Sequence, residues 1–170
     1  MEIFTQVRNL KSFQEAKRLL ASLCELTPNI ERAIVCAQEC HKGQFRESGE
    51  PYIVHPLCVA CFVAFYGGDE AMICAALLHD VVEDTELNLD SVQGDFGQAV
   101  AKLVDGLTKI DEIQEEELGQ KADNQRIAVA ALTFRKMLIA AVNDPRVLVI
   151  KICDRLHNML TLDSLSESKQ

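Results

Sequence analysis

Four residues that could bind a metal ion or activate water lie in the stretch ALLHDVVEDT, residues 76–85. His79, Asp80, Glu83 and Asp84 follow an apolar run directly. Three carboxylates crowded beside an apolar core would repel one another and raise their own pKa values. A divalent cation would remove this repulsion, so the stretch indicates a metal site.

Three further candidates for the same site lie elsewhere in the chain. His55 belongs to PYIVHP, and Asp154 and His157 belong to KICDRLHNM. Two imidazole nitrogens and two carboxylate oxygens would neutralise a doubly charged ion and leave positions open for water or a phosphate oxygen. Such ligands suit manganese, iron or zinc, and an octahedral site with open positions favours manganese over tetrahedral zinc. The set predicts a hydrolytic metal site.

Helices must position these residues, because apolar residues recur every three or four positions along almost the whole chain. A helix over 69–84 would place His79 and Glu83, and likewise Asp80 and Asp84, four residues apart at one helix end. The expected N-caps are Thr27, Asp69, Asp90 and Asp144. We predict an all-α fold with about seven to eight helices, near residues 12–25, 28–44, 56–66, 69–84, 90–96, 97–108 and 122–142 and from 145 onward.

The 170 residues are enough for one domain. Within it we expect one N-terminal helix in the region 1–27. The segment 111–125 is acidic and nearly devoid of apolar residues, which predicts a mobile surface loop. Such a loop could equally be a plain connection or a lid over the site.

Composition excludes several classes of function. The net charge of -9 argues against a nucleic-acid surface, because binding phosphate backbones requires clustered Lys and Arg. The longest apolar run is too short to span a membrane, and the N-terminus lacks the pattern of a signal peptide, so we expect a cytoplasmic protein. Most of the seven cysteines lie among apolar neighbours, which predicts reduced thiols. Cys58 and Cys61 are expected to pack within a helix.

Longer strings carry a family resemblance. HKGQFRESGEPYIVHP, AALLHDVVEDT, FGQAVAKLVDGLTKI and FRKMLIAAVNDPRVLVIKICDRLHNMLTL together resemble the HD-domain hydrolase half of RelA/SpoT-type alarmone enzymes, from about residue 33 to the C-terminus. The resemblance implies an HD-domain helical bundle with one manganese ion. It implies that Glu83 and Asp84 act on the attacking water and that the metal ligands are His55, His79, Asp80 and Asp154. We expect His157 to pack against or brace a ligand.

The same resemblance implies a reaction and a substrate. Members remove the 3′ pyrophosphate from guanosine 3′,5′-bis(diphosphate) or the pentaphosphate, which gives GDP or GTP and pyrophosphate. The substrate-binding residues would be Arg46, Ser48, Tyr52, Asn158, Thr161 and Leu165. For Tyr52, an equal alternative is a buried ring with a bonded hydroxyl.

Two positions depart from the family pattern. Glu47 stands where many relatives carry a basic or small residue, and Leu160 replaces a frequent Arg, which removes positive charge near the site. The chain is expected to be the N-terminal fragment of a longer enzyme, of undetermined oligomeric state. Two alternatives stay open: hydrolysis of another nucleotide, and a module that senses the alarmone without cleaving it.

Overall fold

The structure is a computed structural model that describes residues 2–85, 87–118 and 143–162, without the side chains of 84 and 110–118. These residues form helices joined by short turns, and the predicted all-α class is confirmed. The bounds are α1 Glu2–Arg8, α2 Phe13–Leu23, α3 Pro28–Cys40, α4 Val54–Phe65, α5 Glu70–Leu78, α6 Val81–Asp84, α7 Leu89–Phe96, α8 Gln98–Leu118 and α9 Pro145–Leu160.

Helices α4 and α5 form the centre of the domain. Every residue from Val54 to Val63 is buried, as is every residue from Met72 to Leu78. A helix that is apolar on all sides requires neighbours all round. Accordingly, α4 packs against α2, α5 and α9, and α5 also packs against α3 and α8.

A tight reversal at the end of α4 leads the chain directly into α5. Gly67 adopts φ 79°, and the amide of Gly68 donates to the carbonyl of Val63. This is a Schellman cap, which requires one residue in the left-handed conformation, and glycine adopts that conformation at little cost. A side chain at Gly68 would have its Cβ 2.4 Å from Val63. Because α5 then runs back along α4, the start of α4 and the end of α5 lie together.

The predicted single helix over 69–84 is wrong. Helix α5 ends at Leu78, and α6 begins only at Val81. The Nδ1 atom of His79 lies 2.8 Å from the carbonyl oxygen of Ala76, and a carbonyl can only accept. The imidazole therefore takes the acceptor that the Asp80 amide would use in a continuous helix. The break leaves His79 and Asp80 in the turn between the two helices.

Two other boundaries differ from the predictions. The N-terminal region holds two helices, because Ser12 caps a separate α2 by accepting from the Glu15 amide. Asn88, rather than Asp90, caps α7, since its side chain accepts from the Ser91 amide. The other expected caps, Thr27, Asp69 and Asp144, are confirmed.

The prediction of a loop over 111–125 is wrong for its first part. Helix α8 continues to Leu118, because Glu, Gln and Leu are good helix formers and no Gly or Pro interrupts residues 111–118. The rest of that segment, and the helix predicted over 122–142, lie outside the described residues. All seven cysteines are free thiols, as predicted. Cys58 and Cys61 are fully buried within α4, which confirms their packing role.

None of the described helices combines the length and the apolar character needed to cross a bilayer.

Candidate metal centre

Three separate segments bring the candidate ligands into one buried cluster. His55 lies in the first turn of α4, His79 and Asp80 lie in the turn after α5, and Asp154 lies in the middle of α9. Ligand atoms of His55, His79 and Asp80 all lie within 4.8 Å of one another. The Oδ1 atom of Asp154 is 3.3 Å from Nε2 of His55 and 3.9 Å from Nε2 of His79.

The spacing of these atoms fits one divalent cation. Neighbouring ligand atoms of an octahedral ion with bonds of about 2.1 Å lie about 3 Å apart. The Asp80 carboxylate is 3.0 Å from Nε2 of His79 and 3.6 Å from Nε2 of His55. The cluster needs only small adjustments to surround an ion.

An unsatisfied nitrogen supports the same conclusion. The Nδ1–H of His79 donates to Ala76, so the lone pair of a neutral ring lies on Nε2. This buried Nε2 has no aligned hydrogen-bond partner, although Oδ1 of Asp80 is only 3.0 Å away. Buried polar atoms are rarely left unpaired, and a bound metal ion is one partner that satisfies such a nitrogen.

The charges of the cluster depend strongly on one another. Burial lowers the pKa of His79, but the Asp80 and Asp154 carboxylates outweigh burial and raise that pKa to about 9. Burial raises the pKa of Asp80, and the neighbouring His79 outweighs it, so the pKa of the carboxyl lies well below its usual range. In the metal-free protein, a proton on Nε2 of His79 therefore faces the Asp80 carboxylate, and Nε2 is unsatisfied only when the ring is neutral. A metal ion would take the place of this proton.

Each candidate ligand has a second partner that fixes its orientation. The Tyr52 hydroxyl donates to Oδ2 of Asp80 at 2.8 Å, and the Asn158 amide donates to Oδ1 of Asp154 at 2.8 Å. Nδ1 of His55 lies 2.8 Å from Nδ1 of His157, as expected for a bracing residue. Such outer partners are typical of metal-binding histidines and carboxylates. Burial is the main reason that the pKa of His157 falls to about 2, so its ring is neutral.

The predicted substrate-binding residues lie along one side of the cluster. Arg46 begins a tight turn in which the Gly49 amide donates to the Arg46 carbonyl and Gly49 adopts φ 90°. Its guanidinium donates to the Asn158 side chain at 2.8 Å and lies 5.9 Å from the centre of the Tyr52 ring. Ser48 is half-buried in the same turn.

Tyr52 and Thr161 already have partners within the protein. The Tyr52 hydroxyl donates to Asp80, and its ring stacks on His41 with centroids 4.6 Å apart. The bonded hydroxyl matches the alternative for Tyr52, but the ring is half-buried rather than buried. The Thr161 hydroxyl donates to the carbonyls of His157 and Asn158 at the end of α9. Leu165 lies outside the described residues.

The two acidic residues expected to act on water lie on α6. Glu83 is exposed, one turn after the metal cluster, while the side chain of Asp84 lies outside the described residues. Of the family departures, Glu47 is exposed and Leu160 packs against the core.

Sequence reasoning missed one charged residue of the cluster. Lys151 is 3% exposed, and its Nζ lies 3.0 Å from Oδ2 of Asp154. A signal was available: a lysine in an apolar stretch, three residues before a candidate ligand on the same helix, can reach it. Lysine is almost never fully buried unless it is paired.

Comparisons with known proteins identify the family of this chain. The family model described as HD domain matches residues 33–170. A GTP pyrophosphokinase of Streptomyces coelicolor is 50% identical over 141 residues, which are 83% of this chain and 16% of that protein. A probable guanosine-3′,5′-bis(diphosphate) 3′-pyrophosphohydrolase of Synechocystis is 46% identical over 139 residues, 82% of this chain and 17% of that protein.

The bifunctional (p)ppGpp synthase/hydrolase SpoT of Escherichia coli is 44% identical over 141 residues, 83% of this chain and 19% of that protein. The chain thus spans less than a fifth of the length of these relatives. A solved structure, described as a metazoan ortholog of SpoT that hydrolyzes ppGpp, has a TM-score of 0.62 at 23% identity and covers 84% of this chain and 78% of that one. This likeness supports the fold. The resemblance predicted from the sequence is confirmed, and the chain belongs to the HD-domain family.

Proposed function

We propose that this chain is a manganese-dependent hydrolase that removes the 3′ pyrophosphate from guanosine 3′,5′-bis(diphosphate) or the pentaphosphate. The products would be GDP or GTP and pyrophosphate, and the role would lie in the stringent response. The single observation that carries this proposal is the convergence of His55, His79, Asp80 and Asp154, with the unsatisfied Nε2 of His79 inside the cluster. The substrate is inferred from relatives that are named for alarmone hydrolysis.

The proposed ligands supply two neutral nitrogens and two negative oxygens. When bound, a divalent cation lowers the pKa of a coordinated water and polarises a phosphoryl oxygen. Imidazole and carboxylate with open positions suit manganese, whereas structural zinc sites are usually closed and tetrahedral. We propose one ion per chain.

Glu83 and Asp84 are the proposed groups for handling the water proton. Both follow the metal cluster on α6, within four residues of Asp80. A carboxylate can orient a water molecule and accept its proton when it lies within hydrogen-bond reach. The exposed position of Glu83 leaves it accessible to solvent and to a bound substrate.

The positive charge for substrate binding would come from Arg46. A guanidinium can form paired hydrogen bonds with phosphate or stack on a base. Ser48, Asn158, Thr161 and Leu165 complete the proposed substrate side. The Asn158 side chain already donates to Asp154 and accepts from Arg46, so we propose that the Arg46 guanidinium makes the main contact with the nucleotide.

The proposal is tested with purified protein, Mn²⁺ and a panel of nucleotides that includes the two alarmones, deoxynucleoside triphosphates and monophosphates. We expect release of pyrophosphate from the alarmones alone, with loss of turnover in Glu83→Ala and Asp84→Ala. Pyrophosphate released only from other nucleotides would reject the alarmone as the substrate. Tight alarmone binding with equal, near-zero turnover in the wild type and both variants would instead identify a sensing module.

A cytoplasmic location and a small-molecule partner, with no nucleic acid or membrane, are part of the same proposal. Seven free thiols agree with a reducing compartment. The net charge of -9 disfavours phosphate backbones as partners.

A further inference from the structure

We infer that Lys151 is a positioning residue, a buried side chain that holds the Asp154 carboxylate in place and aimed at the two imidazoles before any metal arrives. The inference rests on the proposed role of Asp154 as a metal ligand. It concerns the state of the site without metal, which the proposed function does not address.

The two oxygens of Asp154 have different surroundings. Oδ2 lies 3.0 Å from Nζ of Lys151, on the same helix. Oδ1 accepts from the Asn158 amide at 2.8 Å and lies 3.3 Å from Nε2 of His55. The ammonium thus fixes one oxygen and leaves the other directed at the cluster.

Because the Asp154 carboxylate is buried, it needs a positively charged partner. The side chains of Lys151 and Asp154 are 3% and 6% exposed, so water does little to stabilise either charge. A buried carboxylate without a counter-charge destabilises the fold or takes up a proton. With two carboxylates in the cluster, Lys151 supplies a permanent positive charge beside Asp154.

The position of the ammonium explains why it does not replace the metal. It lies on the Oδ2 side of Asp154, whereas the imidazole nitrogens face Oδ1. The space between His55, His79 and Asp80 therefore remains available. A site whose ligands are held in place before binding loses less entropy when the ion enters.

A double-mutant cycle in excess EDTA tests this role, using Lys151→Met, Asp154→Asn and the double variant. Methionine keeps the apolar stem of lysine and removes the charge. We expect Lys151→Met to lower the Tm by about 10 °C in the wild-type background, and by less than half of that when residue 154 is Asn. Equal losses in both backgrounds would show that only the stem matters and would overturn the inference.

Two further results keep the test decisive. If Lys151→Met does not fold, the double variant should fold, and failure of both would overturn the inference. The control Lys109→Met breaks an exposed Lys–Asp pair, with 2.6 Å between Lys109 Nζ and Asp105 Oδ2, and should change the Tm by no more than about 2 °C.

Added Mn²⁺ separates this inference from the proposed function. The ion should raise the Tm of the wild type more than that of Lys151→Met, because the wild-type ligands are already held in place and bind the ion more tightly. An equal rise in both proteins would count against the role of Lys151. No rise in the wild type would reject the metal site itself, while the cycle in EDTA would still decide whether Lys151 holds Asp154.

Discussion

The metal cluster and the substrate side lie next to each other but differ in how firmly they are held. His55 and His79 are 2% exposed and come from the two central helices. Arg46, Ser48 and Tyr52 are half-buried, in a turn outside the helices. The cluster is therefore part of the core, whereas these three proposed substrate-binding residues lie nearer the surface.

Two side chains predicted to bind substrate are hydrogen-bonded to the candidate ligands in this structure. Tyr52 and Asn158 each donate a hydrogen bond to a proposed ligand carboxylate. Arg46 bonds to Asn158 and contacts no proposed ligand in the described hydrogen bonds and ion pairs. We therefore expect loss of Tyr52 to affect metal affinity and loss of Arg46 to affect substrate affinity.

The largest loss of metal affinity and turnover should come from a change in the buried metal cluster. His79→Gln removes the nitrogen that faces both carboxylates, and we expect Mn²⁺ affinity and turnover to fall more than about 100-fold, beyond the usual cost of losing an outer partner. Chelator competition and pyrophosphate release measure the two quantities. Lys109→Met is the control, and wild-type metal affinity in His79→Gln would remove His79 from the ligand set.

Tyr52→Phe tests whether the substrate side supports the metal. The change removes only the hydroxyl that donates to Asp80, so we expect Mn²⁺ affinity to fall about 10- to 100-fold. Tyr66→Phe is the matched control, since Tyr66 is exposed at the end of α4. A raised KM with unchanged metal affinity would instead assign the hydroxyl to the substrate.

Arg46→Ala should give the opposite pattern. Loss of a charged hydrogen bond to phosphate should raise KM about tenfold or more. Metal affinity should stay within about threefold, because the described hydrogen bond of the Arg46 guanidinium goes to Asn158 and not to a proposed ligand. Steady-state kinetics at saturating Mn²⁺ measures KM, and chelator competition measures metal affinity. A large loss of metal affinity would contradict the proposed difference between Arg46 and Tyr52.

The smallest effect concerns pH and the cluster alone. Without metal, the pKa of His79 is about 9, above its unfolded value of about 6.5, so its stabilising contribution is present below pH 6.5 and lost as pH rises toward 9. The pKa of His157 is about 2, so the unfolded chain takes up the proton first and stability falls as pH drops below 6.5.

Denaturation in EDTA should therefore show a stability maximum near pH 6.5, with slopes of at most about 1.4 kcal/mol per pH unit for each proton. His79→Gln should flatten the alkaline side, and His157→Gln the acidic side. Unchanged slopes in either variant would contradict the corresponding assignment.

Apolar periodicity was sufficient to predict the helical class, whereas residue types only suggested candidate ligands and the family resemblance implied the set of four. Burying a histidine or an acid costs free energy unless the side chain has a partner. Such residues next to apolar runs therefore stand out, as at His55, His79 and Asp154. The hydrogen bonds of Tyr52 and Asn158 could not be predicted in the same way. They depend on how the turn before α4 lies against α9. The sequence around a polar side chain does not reveal whether that side chain bonds to a metal ligand or to a substrate.

Two helix boundaries show the limits of periodicity more directly. The break after Leu78 follows from one bond between the His79 ring and the Ala76 carbonyl, which apolar spacing does not encode. The extension of α8 to Leu118 shows the converse, because a polar segment without Gly or Pro can remain helical. The burial of Lys151 also depends on tertiary packing.

The contact between His55 and His157 has one more consequence. Two facing Nδ1 atoms 2.8 Å apart share a single hydrogen, so the two rings must hold complementary tautomers. In the metal-free protein, neutral His55 can direct Nε2–H at Asp154, which leaves its Nδ1 to accept from His157. Coordination of an ion through Nε2 of His55 would reverse the tautomers of both rings and move the hydrogen of His157 to its far nitrogen. The ¹⁵N resonances of His157 would thus report whether the neighbouring site is loaded, although His157 is not one of the proposed ligands.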